Sequence, residues 1–361
     1  MKYTIYLIFI IIFLVLSNNL QAQEFGAPFM KNYTHEDYNA DSQNWSITQD
    51  NRGIMYFANN SAMIEYDGTN WRKHYLNNKS TIRAVGTDST GTIFIGGAGE
   101  FGYIKPDKIG KLVYTCISDK LENTKKNSIW SIVSINQQTY FFSKYKCFRW
   151  YNNELTSFSI NILNMKVNKT NNNIYLVTKN GICLLKDTTL VPLKNNILNK
   201  YSLINTKILS YPNNKLLIIT QNNGLLTYNL TNNTIEEIES EAKKYLIKNE
   251  LQSGVRIDEN QFAIGTNYGG ILILNNSSKI LRVINENRGL QSNFIFNLYA
   301  DNNQNLWAAI QKGIAIINTN YPAQQFGKNQ NINNYVLDII SFNKKNIWQP
   351  TMVCIIFPIM N

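Results

Sequence analysis

The sequence predicts an all-β fold, a β-propeller of about seven four-stranded blades followed by the start of a further blade. Three observations predict it. A strand, polar turn, strand, glycine turn and strand grammar returns along the chain at roughly 35 to 45 residues, the period of a four-stranded blade. Only 16% of the 361 residues are charged while 44% are hydrophobic and 12% aromatic. With Asn abundant and β-branched Ile and Thr frequent, that mixture suits strands joined by polar turns. Finally, a repeat this small cannot bury both faces of its sheet alone, so the copies must stack around an axis. A parallel β-helix would need much shorter coils.

In chain order, residues 2–16 hold one early positive charge, Lys2, and then a nearly unbroken apolar run, and residues 17–23 turn polar around Ala22. This is a secretory signal-peptide pattern, with cleavage expected after Ala22 although Leu20 is larger than the usual small residue there. The run is short for spanning roughly 30 Å of hydrocarbon. No second stretch of about 18 apolar residues follows, so membrane attachment is expected only through an uncleaved signal or through downstream segments.

The first copy runs through 45–49, the turn Asp50-Asn51-Arg52-Gly53, then 54–57, 63–66, Asp67-Gly68 and Trp71. The second has 82–87, the turn Asp88-Ser89-Thr90-Gly91, 92–95 and Tyr103-Ile104. The third leads from 129–135 through Asn136-Gln137-Gln138 to 140–142 and 147–151. Then Asn171-Asn172-Asn173, Pro212-Asn213-Asn214 and Asp258-Glu259-Asn260 each precede an apolar strand and a glycine. The last and cleanest copy is 295–300, Asp301 to Asn305, 306–310 and 313–317. About seven copies precede Pro322, a plausible number for one closed ring. Only 234–249 has helical character, and it reads as an inter-blade connection.

Little in the chain carries chemistry. His35 and His74 are the two histidines, neither in a metal or nucleophile motif, and both are expected on the surface or in loops. Cys116, Cys147, Cys183 and Cys354 lie far apart, without the close pairs of a metal site; Cys147 and Cys183 sit in apolar runs and read as buried thiols. Gly96-Gly97-Ala98-Gly99 lacks the Gly-Lys of a phosphate loop and reads as a tight or bulged turn. Asp50, Asp88 and Asp301 hold equivalent places in successive turns, so turn stabilisation is their expected role. Trp45, Trp71, Trp130 and Trp307 have the flat faces that stack on sugars, but repeated aromatic positions are expected in the inter-blade core. Glu100-Phe101-Gly102-Tyr103 has a suitable mixture for a ligand and is given no binding role. The expectation is therefore no catalytic, cofactor or metal residues, with the ligand-binding residues unknown.

The formal charge of +11 would favour an anionic ligand such as an acidic glycan or an anionic surface. The basic residues form no dense run, however, and solvated lysines explain the charge more simply. An exported chain has no nucleic acid among its expected partners.

Gly289-Leu290-Gln291-Ser292-Asn293, the strand 295–300, Asp301, Asn305-Leu306-Trp307 and Lys312-Gly313-Ile314-Ala315 resemble the two-component regulator propeller repeat. That repeat has the shape G-L-x-S-N, strand, D-x-x-G-x-L-W, strand, G-L. Asn303-Gln304 replaces its usual glycine, which weakens the turn match but leaves the strand register. Gly26-Ala27-Pro28-Phe29, Asn32-Tyr33, Gln43 to Ile47, Gly53 to Asn59 and Glu65 to Gly68 resemble the opening of Bacteroidetes-type sensor regions built from these propellers. Ser61-Ala62 stands there for a glycine-containing turn. Arg83 and 96–103 continue the likeness into the second blade. The resemblance implies extracytoplasmic ligand sensing, often of carbohydrate, followed by an immunoglobulin-like module, a membrane helix and a cytoplasmic output; a homodimer is compatible with it.

The expected organisation is a signal peptide over 1–22, a propeller sensor domain over 23–325, the start of a further blade or second propeller over 326–346, and a tail over 347–361. The tail, IWQPTMVCIIFPIMN, places Pro350 and Pro358 near would-be strands. Back-translated and read one nucleotide earlier, it permits a proper blade continuation, so a frameshift near Asn346 is expected. The function expected is a non-catalytic, periplasmic ligand-sensing propeller of a transmembrane regulator. The alternatives are a secreted interaction protein and a propeller enzyme acting on polysaccharides.

Overall fold

A computed structural model describes residues 27–319, apart from 123, 125–126 and 195–199, together with the strand backbones 324–325, 336–342, 345–350 and 355–358. The expected signal segment, its cleavage point after Ala22 and Cys354 lie outside the described residues.

Seven four-stranded antiparallel sheets stand among the described residues. Blade 1 comprises Asn44–Gln49, Met55–Asn59, Met63–Tyr66 and Trp71–His74. Blade 2 comprises Ile82–Thr87, Ile93–Gly97, Phe101–Pro106 and Leu112–Cys116; blade 3 comprises Ser131–Ile135, Gln138–Phe142, Lys146–Tyr151 and Glu154–Ser159. Blades 4, 5 and 6 start at Asn168–Thr170, Lys207–Tyr211 and Leu251–Arg256. Blade 7 holds Ile295–Ala300, Leu306–Ile310 and Gly313–Ile317, and its fourth strand is Met30–Tyr33 from the other end of the chain. Tyr33 pairs with Ile314 and Met30 with Ile317, while Asn32 Nδ2 donates to Gly289 O at 2.8 Å. The first strands of neighbouring blades pack side by side at six of the seven junctions, blade 7 against blade 1 included, and blades 3 and 4 meet through Val133, Phe142, Ile174 and Leu176, so the ring is closed.

The burial pattern follows from this stacking. Every residue of Met55–Asn59, Ile93–Gly97 and Leu306–Ile310 is buried, because a second strand has a neighbouring blade on both faces and reads as a continuous apolar run. Fourth strands, at the rim, keep one edge in solvent and read mixed, as Glu154–Ser159 does. Seven apolar clusters result, one at each blade junction. Gly86, Gly96 and Gly265 let β-branched partners from the next blade approach; a Cβ there would stand 2.8, 2.7 and 2.6 Å from Ile132, Ile129 and Ile295. Gly96 and Gly97 are thus strand residues, and only Gly99, at φ +78°, makes the turn expected of that segment.

The region 234–249 divides where a helical connection was expected. Ile235–Ile238 is the outer strand of blade 5, paired with Leu225 to Tyr228, and the helix is confined to Ala242–Asn249. Its Ala242 and Leu246 are buried against Leu225, Phe262 and Leu272, between blades 5 and 6.

The chain divides into two compact units, and the ring belongs to Phe29–Tyr321. In the other unit, Ala27–Pro28 pairs with Gln324–Gln325, and Val336–Phe342, Lys345–Pro350 and Ile355–Pro358 form a three-stranded antiparallel sheet. Pro350 ends the central strand at an irregularity opposite Val336 and Pro358 ends an edge strand, placements a residue without an N–H tolerates.

Candidate functional site: the central channel

The first strands of the seven blades enclose a channel of about 530 Å³. One repeated device sets its wall. Val85 N–H donates to Ser46 Oγ at 3.1 Å, Val167 N–H to Ser131 Oγ at 3.4 Å, and Ile208 N–H to Asn168 Oδ1 at 2.9 Å. Leu298 N–H donates to Ser253 Oγ at 3.0 Å and Ile47 N–H to Asn297 Oδ1 at 3.2 Å. A small polar side chain on one inner strand therefore holds a backbone N–H of the next, because inner strands of different blades do not pair as a ladder and their N–H groups need another acceptor.

The same wall carries Lys166, Lys169, Lys207 and Arg256, and no carboxylate among its described lining residues. Lys166 Nζ reaches across the ring to donate to Trp45 O, and to Phe296 O at 3.0 Å. Lys169 Nζ donates to Ser134 O at 2.8 Å, and Arg256 Nη2 to Asn276 Oδ1 at 2.7 Å. Lys207 is 8% exposed. Burial holds the Lys207 ammonium down at about 8, and burial followed by the charge of Lys207 pushes Lys166 well below the lysine range. Not all of the basic surplus is solvated, then, as the composition had suggested.

Aromatic residues rim the mouth at which the inner strands begin. Trp45 meets Trp130 edge-on at 5.9 Å and Phe296 at 5.1 Å, and the Arg83 guanidinium lies 4.4 Å from the Trp130 ring centroid. Trp71 and Trp307 are instead in the core between blades 7 and 1, Trp71 stacked on Tyr66 at 4.1 Å. The four tryptophans considered from sequence thus divide into two rim and two core residues.

The remaining candidates are structural. Asp50, Asp88 and Asp301 each accept two backbone N–H bonds within their own turn. Glu100 is buried and accepts the N–H groups of Asn77 and Asn78, while Phe101 is core. His35 opens the short helix His35–Tyr38. His74 departs from the expected surface placement: it lies in the outer strand of blade 1, its Nε2 2.7 Å from Oε2 of buried Glu65, whose Oε1 accepts from Arg72 at 2.8 Å. Burial raises Glu65, and the bonds and charges of His74 and Arg72 outweigh it and hold the carboxyl below its usual range. Cys116, Cys147 and Cys183 are free thiols, and Cys147 and Cys183 are buried. Among the described residues no group of three His, Cys, Asp or Glu could hold a metal, and no helix is long and apolar enough to cross a membrane.

Sequence reasoning missed the channel lysines. The signal available was a lysine directly before an apolar run that precedes a polar turn, as in Lys207-Ile208-Leu209 ahead of Pro212-Asn213-Asn214.

No protein-family model matches the chain, and no curated protein matches it. Among solved structures it is similar to the extracellular domain of the one-component system protein BT4673 of B. thetaiotaomicron, at 18% identity and a TM-score of 0.61, over 91% of this chain and 46% of that one. A second structure of that domain, described as belonging to a hybrid two-component system, gives 17% identity and a TM-score of 0.60 over 90% and 44%. This chain therefore spans less than half the length of those two. Virginiamycin B lyase from Staphylococcus aureus is similar at 12% identity and a TM-score of 0.61, over 80% of this chain and 98% of the lyase. At these identities the likeness is one of fold, the seven-bladed propeller.

Proposed function

We propose that this chain is the extracytoplasmic ligand-sensing propeller of a transmembrane one- or two-component regulator, exported to the periplasm and non-catalytic itself. The observation that carries the reading is the likeness of the chain, over 91% of its length, to the extracellular domain of a signalling protein. The repeat signature at 289–315 and the apolar run at 2–16 point the same way, the one to regulator propellers and the other to export. A ligand can move a signalling equilibrium only by binding one state better than another. The walled channel with its aromatic rim gives such a ligand, carbohydrate or other, a place to do so. The lyase likeness favours an enzyme less, because it is one of fold at 12% identity and neither His35 nor His74 lines the channel.

The test is to sequence the genomic locus from the codons of Leu306 onward, through Asn346 and into the following open frame. A frame that continues into further propeller units, a membrane helix and a kinase or DNA-binding output is the expected result. A stop with none of these downstream would overturn the regulator reading and leave a secreted interaction propeller as the one to test.

A further inference from the structure

The sensing reading leaves open what the channel holds, and the wall's unspent hydrogen-bond donors bear on that. Val85, Val167, Ile208, Leu298 and Ile47 are the residues whose N–H groups are held from the neighbouring blade. The residues just before them, Ala84, Lys166, Lys207, Asn297 and Ser46, therefore share one layer of the ring. Two places in that layer carry lysine side chains where the others carry small neutral ones. Lys166 Nζ donates to two carbonyls on the far side of the ring. Lys207, more than nine-tenths buried, has no hydrogen-bond or ion-pair partner among the described residues. Its stem passes Gly254, where a Cβ would stand 3.3 Å from Lys207 Cβ, so the facing blade is shaped to leave the lysine room.

The neutral wall is donor-rich as well. Asn168 spends its carbonyl oxygen on Ile208 N–H, and its buried Nδ2 has no partner. Ser131 and Ser253 accept N–H bonds through Oγ and so turn their own O–H protons elsewhere. A largely desolvated ammonium that faces a channel without a counter-charge is costly. An acceptor-only guest with negative charge supplies the missing counter-charge.

We infer that the channel is a binding site for a small oxyanion, a carboxylate, phosphate or sulfate group held between Lys166 and Lys207. A cavity of about 530 Å³ has room for the anion to be part of a larger molecule, up to the size of a sugar acid. The inference rests on the sensing reading only in treating that occupant as a signal.

The test is thermal unfolding and titration calorimetry of the full chain with sodium phosphate, sodium sulfate and sodium glucuronate. Sodium chloride at matched ionic strength and neutral glucose serve as controls. The expected result is a saturable rise in melting temperature with at least one oxyanion and none with the controls; the inorganic and glucuronate arms separate a free ion from a sugar acid. Lys207→Met should raise the melting temperature of the ligand-free protein and weaken oxyanion binding by about ten- to hundredfold, the loss of one charge-assisted bond. Lys312→Met, at an exposed turn, should leave binding unchanged. Because K207M is expected to be the more stable protein, lost binding cannot be ascribed to unfolding. A melting temperature that follows ionic strength alone, or a K207M that binds as the parent does, would overturn the inference. Either result leaves the regulator reading standing, and a locus without an output domain would leave the oxyanion site standing.

Discussion

The first hairpins of blade 1 and blade 4 make the same connection with different chemistry. In blade 1, Gln49 faces Met55 across a five-residue loop in which Asp50 Oδ1 accepts Arg52 N–H at 2.9 Å and Ile54 N–H at 3.0 Å, with Gly53 at φ +85°. In blade 4, Thr170 faces Asn173 across two residues, Asn171 and Asn172, at φ 48° and 53°, the paired left-handed conformation that matches strand twist. The long loop concentrates its stability in one carboxylate; the short turn spreads it over two backbones that Asn tolerates. Blades 2 and 7 follow blade 1, and the Asn136-Gln137 turn of blade 3 follows blade 4.

This difference is sharpest where the carboxylate also reaches the core. Asp50, 2% exposed, accepts bonds from Arg52 and, at 3.0 Å, from Tyr56 Oη, whereas Asp88 binds only within its own turn. Asp50→Ala is expected to cost about 3 kcal/mol, since several donors are orphaned at once, and Asp88→Ala about 1 kcal/mol. Urea unfolding of the two variants measures both; equal losses would break the comparison.

A smaller effect is expected from the turn that ends the third strand of blade 1, and pH reveals it. The N–H groups of Asn70 and Thr69, with Arg72, hold the Asp67 carboxyl down at about 2, below the unfolded value of about 3.9. Its contribution is fully present above the unfolded value and is lost as the pH falls through the folded one. Asp67→Asn should therefore flatten the acid limb of a stability profile between about pH 4 and 2, and an unchanged limb would place the acid sensitivity elsewhere.

The smallest effect is expected where a five-residue loop lacks its glycine. Gln304 takes φ 63° at the place Gly53 takes in blade 1, yet Ala300 still faces Leu306. Gln304→Gly should stabilise by about 0.5 kcal/mol, the left-handed penalty less the entropy that glycine adds to the unfolded chain. Asn172→Gly should be nearly neutral, because Asn already suits that conformation. Chemical denaturation of this pair reads the contrast directly, and a larger gain in blade 4 than in blade 7 would reverse it.

These turns explain why so much of the ring was legible in the sequence. Asp50, Asp88 and Asp301 announce loops whose hydrogen bonds are local, and the strands between them alternate or run apolar according to their depth in the blade. Where partners are distant, local pattern failed. Met30–Tyr33 has no strand signal beyond four residues, and its place in blade 7 is decided by Gly313–Ile317, at the far end of the ring. Ile235-Glu236-Glu237-Ile238 has apolar residues three apart, as a helix would, and pairing with Leu225 to Tyr228 overrides that spacing. The candidate site was the least legible part, because composition reports that lysines are many and only blade register brings Lys166 and Lys207 into one layer of the channel.

The exchange of Met30–Tyr33 into blade 7 also sets an order of events. This strand is synthesised among the first of the ring and cannot find its partner until Ile317 has been made, so its edge groups wait unpaired while six blades accumulate. Contacts so remote in sequence are slow to form. Until they form, both ends of an almost complete ring present open edges to any other chain nearby. Synthesis that halts short of Gly313 would leave that vulnerability permanent, and a chain caught at that stage is one for a chaperone to hold.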